Sequence, residues 1–407
     1  MKPVLFLPLV CVLLMCACAP AVSAPATPAA VPEDSRTPLG VPPVVIETQG
    51  VDEGGGAPAE ESVEMLAWEN ENCDRLIVTA EAVLVGRCGE QAAAVMDVTP
   101  AALERIAAWQ GVYASFEAET PAGQVSFQGM GPSVPTPAEG RMMAEWAQLT
   151  YDIARSGRTG AAWGLAFTYS RSGGIAGFCD DVSVYLTGHA QVSDCQGTNA
   201  RVDLTATQLE QVYAWYDAYS SIDYTYSDAQ VVDALSLSLA MPAKGGLVAD
   251  EATVRAIIAF ADDLLAQVSF QRQADPAGLA AAETAIREFL TALNLGEFDR
   301  AAALYGGHTS VLADWNPDIS DDLPAWLERG CTQNGLMCLL PRTIIYRGQG
   351  PDGELQFLVE YNQSDGTLFR LGTCCTEGLG QVRTDFKVRA RQQDGLWQVL
   401  DLPPYVP

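Results

Sequence analysis

The chain has 407 residues, 51 acidic against 23 basic side chains, a formal net charge of −28 and 48% hydrophobic content. That length and hydrophobicity support two or three folded units with cores of their own, whereas so negative a surface excludes sequence-independent binding to nucleic-acid phosphates. Eleven cysteines but only two histidines, His189 and His308, leave little material for a histidine metal centre or a His-based triad.

Met1-Lys2 leads into an apolar run, Val4 to Met15, followed by Cys16-Ala17-Cys18-Ala19-Pro20. A run this short cannot cross about 30 Å of hydrocarbon as a helix, so residues 1–17 read as a signal peptide. Met15-Cys16-Ala17-Cys18 resembles a bacterial lipoprotein signal, which implies that Cys18 is diacylated and becomes the first residue of the mature chain. Cleavage near Ala21-Val22-Ser23, giving plain secretion, is the other reading of the same segment. Residues 18–62 are rich in Pro, Ala, Gly and acidic side chains and cannot bury enough apolar surface to offset their ordering entropy. They are expected to form a lipid-anchored tether that holds the folded part outside the cytoplasm, at the bacterial cell membrane, with lipid as the membrane contact.

Eight cysteines remain after that segment: Cys73, Cys88, Cys179, Cys195, Cys331, Cys338, Cys374 and Cys375. An even number in an exported chain favours disulfides. Cys73 and Cys88 stand 15 apart and Cys179 and Cys195 stand 16 apart, each pair flanking two β-rich runs about a turn. Downstream, residues 97–115 overlie 203–221 at an offset of 106, with eight of 19 positions identical: Asp97, Thr99, Leu103, Glu104, Ala108, Trp109, Tyr113 and Ser115. The pattern predicts a tandem duplication of one α+β unit over 63–157 and 163–270. Each unit reads as a hairpin closed by a disulfide, then a helix capped by Thr99-Pro100 or by Thr205 with Gln208. Further strands follow, such as Gln124–Phe127 and Leu235–Leu239, and then a closing helix, clearest at Val254, Ile257, Ile258, Ala261, Leu264, Leu265 and Val268.

Ser172-Gly173-Gly174-Ile175-Ala176-Gly177, followed by that order of elements, resembles the emfourin-like family, whose members include a protein inhibitor of a thermolysin-like metalloprotease. The resemblance implies a protein-binding role for the second unit. The first unit has Trp68-Glu69-Asn70-Glu71 instead, and the glycines also read simply as a tight turn or bulge.

Asp275-Pro276 is an N-cap with Pro at the first helical position, and Ile286, Phe289, Leu290 and Leu293 form an apolar stripe that stops before Gly296. Helices over Glu297–Tyr305 and Ser320–Arg329 follow. Strands are then expected at Thr343–Arg347, Leu355–Tyr361, Thr367–Leu371, Val382–Arg391 and Leu396–Leu400, with hairpin chemistry at Pro351-Asp352-Gly353, Asp365-Gly366 and Asp394-Gly395. This order, from Glu283–Phe298 to Gly395–Val399, resembles the nuclear transport factor two-like fold over 276–407. The resemblance implies a curved antiparallel sheet wrapped round helices as a cone, with a pocket or a dimerisation surface. His308, Asp314, Trp315, Glu360 and Asp385 are the candidate pocket residues. A loop histidine without an evident partner is more readily a solvated side chain than a general base, and Asp314, Asp318, Asp321 and Asp322 suit a helix start better than a calcium loop.

Crossed links from Cys374 and Cys375 to Cys331 and Cys338 are favoured, with a four-thiolate zinc site as the alternative. Arg383, Lys387, Arg389 and Arg391 alternate with apolar residues, as on a solvated sheet face paired with carboxylates, or as a docking strip for an anionic partner. The chain has no G-x-S-x-G, H-E-x-x-H, P-loop or dinucleotide fingerprint. The expected function is therefore a non-enzymatic binding protein without cofactor or metal, engaging a protein partner in the envelope or outside the cell through its repeats. An enzyme or small-ligand binder using the C-terminal pocket, a protease-inhibitor-like protein and a structural envelope component are the other readings.

Overall fold

A computed structural model describes residues 63–87, 94–97 (backbone only), 99–156, 164–175, 177–195, 197–227, 234–372 and 382–406. Cys18, Cys88, Cys374, Cys375 and the tether lie outside the described residues, as does the expected junction at 157–163.

The chain is α+β with antiparallel sheets. Alternating apolar residues make β1 (Leu66–Glu69), β2 (Arg75–Val78), β3 (Ala82–Gly86), β5 (Ala114–Thr120) and β6 (Gly123–Met130), with β4 at Ala94–Asp97. They form one sheet in the order β4-β3-β2-β1-β6-β5. Helix α1 (Pro100–Val112) starts at the Thr99 cap, and α2 (Pro137–Ser156) packs across the sheet.

A second sheet follows: β7 (Leu165–Gly173), β8 (Phe178–Tyr185), β9 (His189–Asp194), β10 (Asn199–Asp203), β11 (Ile222–Ser227) and β12 (Ser236–Met241). Its order, β10-β9-β8-β7-β12-β11, matches the first strand for strand. Helix α3 (Ala206–Ala218) carries the full Thr205/Gln208 capping box, and α4 (Glu251–Gln273) packs on the second sheet. Gly173, Gly174 and Gly177 have φ of 77°, 72° and 64° in the β7–β8 turn, a left-handed backbone that disfavours a Cβ.

The buried apolar side chains of both sheets belong to one continuous core. Helix α2 explains this: twelve of its 20 residues are buried, because it is covered by its own sheet and by α3. Where the helices meet, Arg141 stacks 4.2 Å over the Tyr213 ring and bonds to Asp217.

The remaining residues build a separate core. Helix α5 (Pro276–Leu295) ends at Gly296, as its stripe predicts, and is followed by α6 (Phe298–Leu304), α7 (Ser310–Trp315) and α8 (Leu323–Thr332). These helices face a sheet of β13 (Leu340–Gln349), β14 (Leu355–Asn362), β15 (Asp385–Gln393) and β16 (Leu396–Val399). Two expectations are corrected here. Residues 367–371 form only isolated bridges, Leu368 to Asn362 and Leu371 to Arg383, because the turn at Asp365-Gly366 folds them back onto the end of β14. Cys331 and Cys338 bond to each other, at a Cα separation of 5.6 Å, rather than crossing to Cys374 and Cys375. The end of α8 and the Gly335 turn bring them together, which the linear spacing of 7 did not reveal. Cys179–Cys195 is formed as the hairpin spacing suggests, and Cys73 is disulfide-bonded.

Candidate functional site

Of the five candidate pocket residues, the fold brings together Glu360 and Asp385, which face each other across β14 and β15. Both line a cavity of about 190 Å³ shared with Thr207, Thr343 and Arg347. Glu360 is buried and accepts hydrogen bonds from Thr207 Oγ1 (2.9 Å), Thr343 Oγ1 (3.0 Å) and, more weakly, Thr207 N–H (3.4 Å). Thr207 lies in the first turn of α3, so the carboxyl sits at the positive end of that helix. Burial raises the Glu360 pKa above the ordinary carboxylate value, while the hydroxyl bonds pull it back. The group therefore acts as a strut between the C-terminal sheet and the second sheet unit.

The other three are elsewhere. His308 is exposed in a loop, where its carbonyl accepts from the Tyr305 hydroxyl at 3.0 Å. Asp314 is exposed, and Trp315 stacks on Tyr405 at 4.9 Å beside a cavity of about 290 Å³. Neither His308 nor Asp314 lines the Glu360 cavity. On the cationic strand, Arg389 is held by both carboxylate oxygens of Asp401 (2.9 and 2.7 Å), as a solvated, paired sheet face requires.

A second strut, not foreseen from the sequence, fixes the C-terminal sheet to the first sheet unit. Arg342 on β13 and Glu139 in the first turn of α2 form an ion pair whose side chains are only 1% and 4% exposed. Glu139 also accepts from Tyr113 Oη (2.9 Å) and Thr136 N–H (2.7 Å). Burial pushes the Tyr113 hydroxyl well above its ordinary pKa, so it stays a donor. Arg342 further donates to Asn362 Oδ1 (2.9 Å) and Val134 O (3.1 Å). Asn362 Nδ2 donates to Ser133 Oγ (3.0 Å), and Val134 N–H to Gly366 O (2.8 Å). The segment 131–136 and the start of α2 thus form a seat, occupied by the 362–366 turn. Its sequence signal was the Thr136-x-x-Glu139 capping spacing; its partner lies 203 residues away.

The second sheet unit carries the counterpart of this seat. Ser133 N–H donates to Val112 O (3.0 Å) and Ser133 O accepts from Ala114 N–H (2.9 Å); Leu247 N–H donates to Ala218 O (3.0 Å) and Leu247 O accepts from Ser220 N–H (2.7 Å). A Cβ on Gly131 would lie 2.2 Å from the Val112 carbonyl carbon, and one on Gly245 2.2 Å from that of Ala218, so both backbones press onto a helix end that only glycine tolerates. Thr253 Oγ1 donates to the Tyr219 hydroxyl (3.1 Å), where the first unit joins Tyr113 to Glu139. This second seat is open. Leu247 and Val248 are 61% and 87% exposed, and among the described residues nothing accepts from the Val248 N–H. Compared with protein-family models, with curated proteins and with solved structures, the chain matches none.

Proposed function

We propose that the protein is a non-enzymatic, extracytoplasmic, lipid-anchored binding protein that engages a protein partner through its two sheet units. We read those units as copies of one emfourin-like fold, beside a nuclear transport factor two-like domain. One observation carries the reading: the seat on the first unit is filled by the 362–366 turn of the C-terminal domain, whereas its counterpart on the second unit is exposed, with Leu247 and Val248 turned to water. Its chemistry differs from that of the filled seat. Ser133 and Glu139 receive Asn362 and Arg342, whereas Leu247 and Thr253 stand at the counterpart positions and provide no carboxylate for a cation. The fitting partner offers a turn with an apolar side chain over Leu247 and a backbone carbonyl for Val248 N–H.

The test is capture from the source organism's envelope extract with the wild-type chain and with a Leu247→Asp/Val248→Asp variant of unchanged circular dichroism. The proposal expects a protein retained by the wild type and lost by the variant. Recovery of the same proteins by both chains, or of none by either, rejects it.

A further inference from the structure

A cavity of about 580 Å³ lies where the last turn of α4 meets the first turn of α5 and the ends of β13 and β16. None of the sequence-predicted pocket residues lines it. Its walls carry three aromatic rings, Phe270, Tyr346 and Trp397, and three glutamines, Gln273, Gln349 and Gln392. In a chain with 51 acidic and 23 basic residues, this lining holds no Lys, Arg or His and a single carboxylate, Asp275. That carboxylate is engaged as the α5 cap, accepting from Gly278 N–H at 2.9 Å.

Each glutamine is anchored through its amide nitrogen: Gln349 to Gly353 O (3.1 Å), Gln392 to Gly395 O (3.4 Å) and Gln273 to Ser269 Oγ (3.3 Å). All three side chains are exposed at the cavity's rim, and among the described residues nothing donates to their Oε1 atoms, so these acceptors are open to a ligand beside the rings.

This combination selects a ligand class. An anion would find no cation to offset its desolvation, and a cation would find one carboxylate already hydrogen-bonded. A purely apolar ligand would strip water from the glutamines and Asp275 without replacing their bonds. A ligand with many hydroxyl donors and flat C–H faces satisfies the amide oxygens and stacks on the rings together, and the volume lies within the range of small-molecule sites. We infer that this cavity binds a neutral oligosaccharide, with Trp397 and Phe270 as stacking faces and Gln349, Gln392 and Gln273 as hydroxyl acceptors. The inference is independent of the partner seat on the second sheet unit.

The test uses the full chain purified under non-reducing conditions and titrated calorimetrically with maltohexaose, cellohexaose and chitohexaose, after screening on an array of neutral glycans. A hyaluronan oligomer and a soluble fatty acid complete the set. The expected result is saturable binding of a neutral oligosaccharide that falls at least tenfold in Trp397→Ala and severalfold in Gln392→Ala. Gln392 is exposed, so its variant decides the matter even if the tryptophan variant fails to fold. Absence of binding by every neutral glycan, binding of the acidic oligomer or fatty acid alone, or affinity unchanged in Gln392→Ala and Gln349→Ala overturns the inference.

Discussion

Replacing Arg342 by Met tests the strut between the C-terminal sheet and α2. The guanidinium is 1% exposed, faces the 4% exposed Glu139 carboxylate, and also supplies the bonds to Asn362 and Val134 O at 2.9 and 3.1 Å. Without it Glu139 keeps the Tyr113 hydroxyl and the Thr136 N–H but loses its counter-charge. Removing one partner of a buried pair costs about 3–5 kcal/mol, mostly as the desolvated charge left behind. Removing both is far cheaper, so Arg342→Met/Glu139→Gln should regain about half or more of that loss, a coupling of about 2 kcal/mol in a double-mutant cycle. Urea unfolding followed by circular dichroism and tryptophan fluorescence reads both quantities. A single-variant loss under about 1 kcal/mol, or a double variant as unstable as the sum of the singles, would refute the strut.

Three further outcomes are expected. His189 is 5% exposed and stacked on Tyr185 at 4.7 Å, and burial lowers its pKa from 6.5 to about 4. The unfolded chain therefore binds more protons between those values; this contribution is fully present above about pH 6.5 and shrinks by about 2 kcal/mol on going down to pH 5. His189→Gln removes that slope, and comparing the two profiles cancels the opposite tendency of Glu360; identical profiles would contradict the assignment. Gly245→Ala should cost about 1–3 kcal/mol, because its Cβ meets the Ala218 carbonyl, whereas Gly246→Ala, with nothing within 4 Å, should be near neutral by thermal unfolding. Cys179→Ser/Cys195→Ser opens a bridge across 16 residues and should lower stability by about 3 kcal/mol; a change below about 1 kcal/mol would leave the bridge without a stabilising role.

Local signals in the sequence were enough for the α+β class, the capped helices and the Cys179–Cys195 bridge, because each rests on near neighbours: Thr205 with Gln208, or two runs about one turn. The offset of 106 that joins Tyr113 to Tyr219 ends before the seats: Gly131 and Gly245 are 245 − 131 = 114 apart, an extra eight residues that hid the Gly131/Gly245 and Val134/Val248 matches. The Arg342–Glu139 pair was illegible for a different reason. A lone Arg on a strand and a lone Glu at a helix start are ordinary solvated residues until tertiary packing buries both. Composition likewise gave no hint of the glutamine and aromatic cavity, whose walls come from α4, α5 and four strands.

The open seat is tested most directly by placing a photo-crosslinking amino acid at position 248 in cells of the source organism. The account predicts a discrete adduct with another protein from position 248 and none from position 396, a control site where Leu396 is 69% exposed far along the chain on β16. Adducts at both positions alike, or at neither, would contradict it.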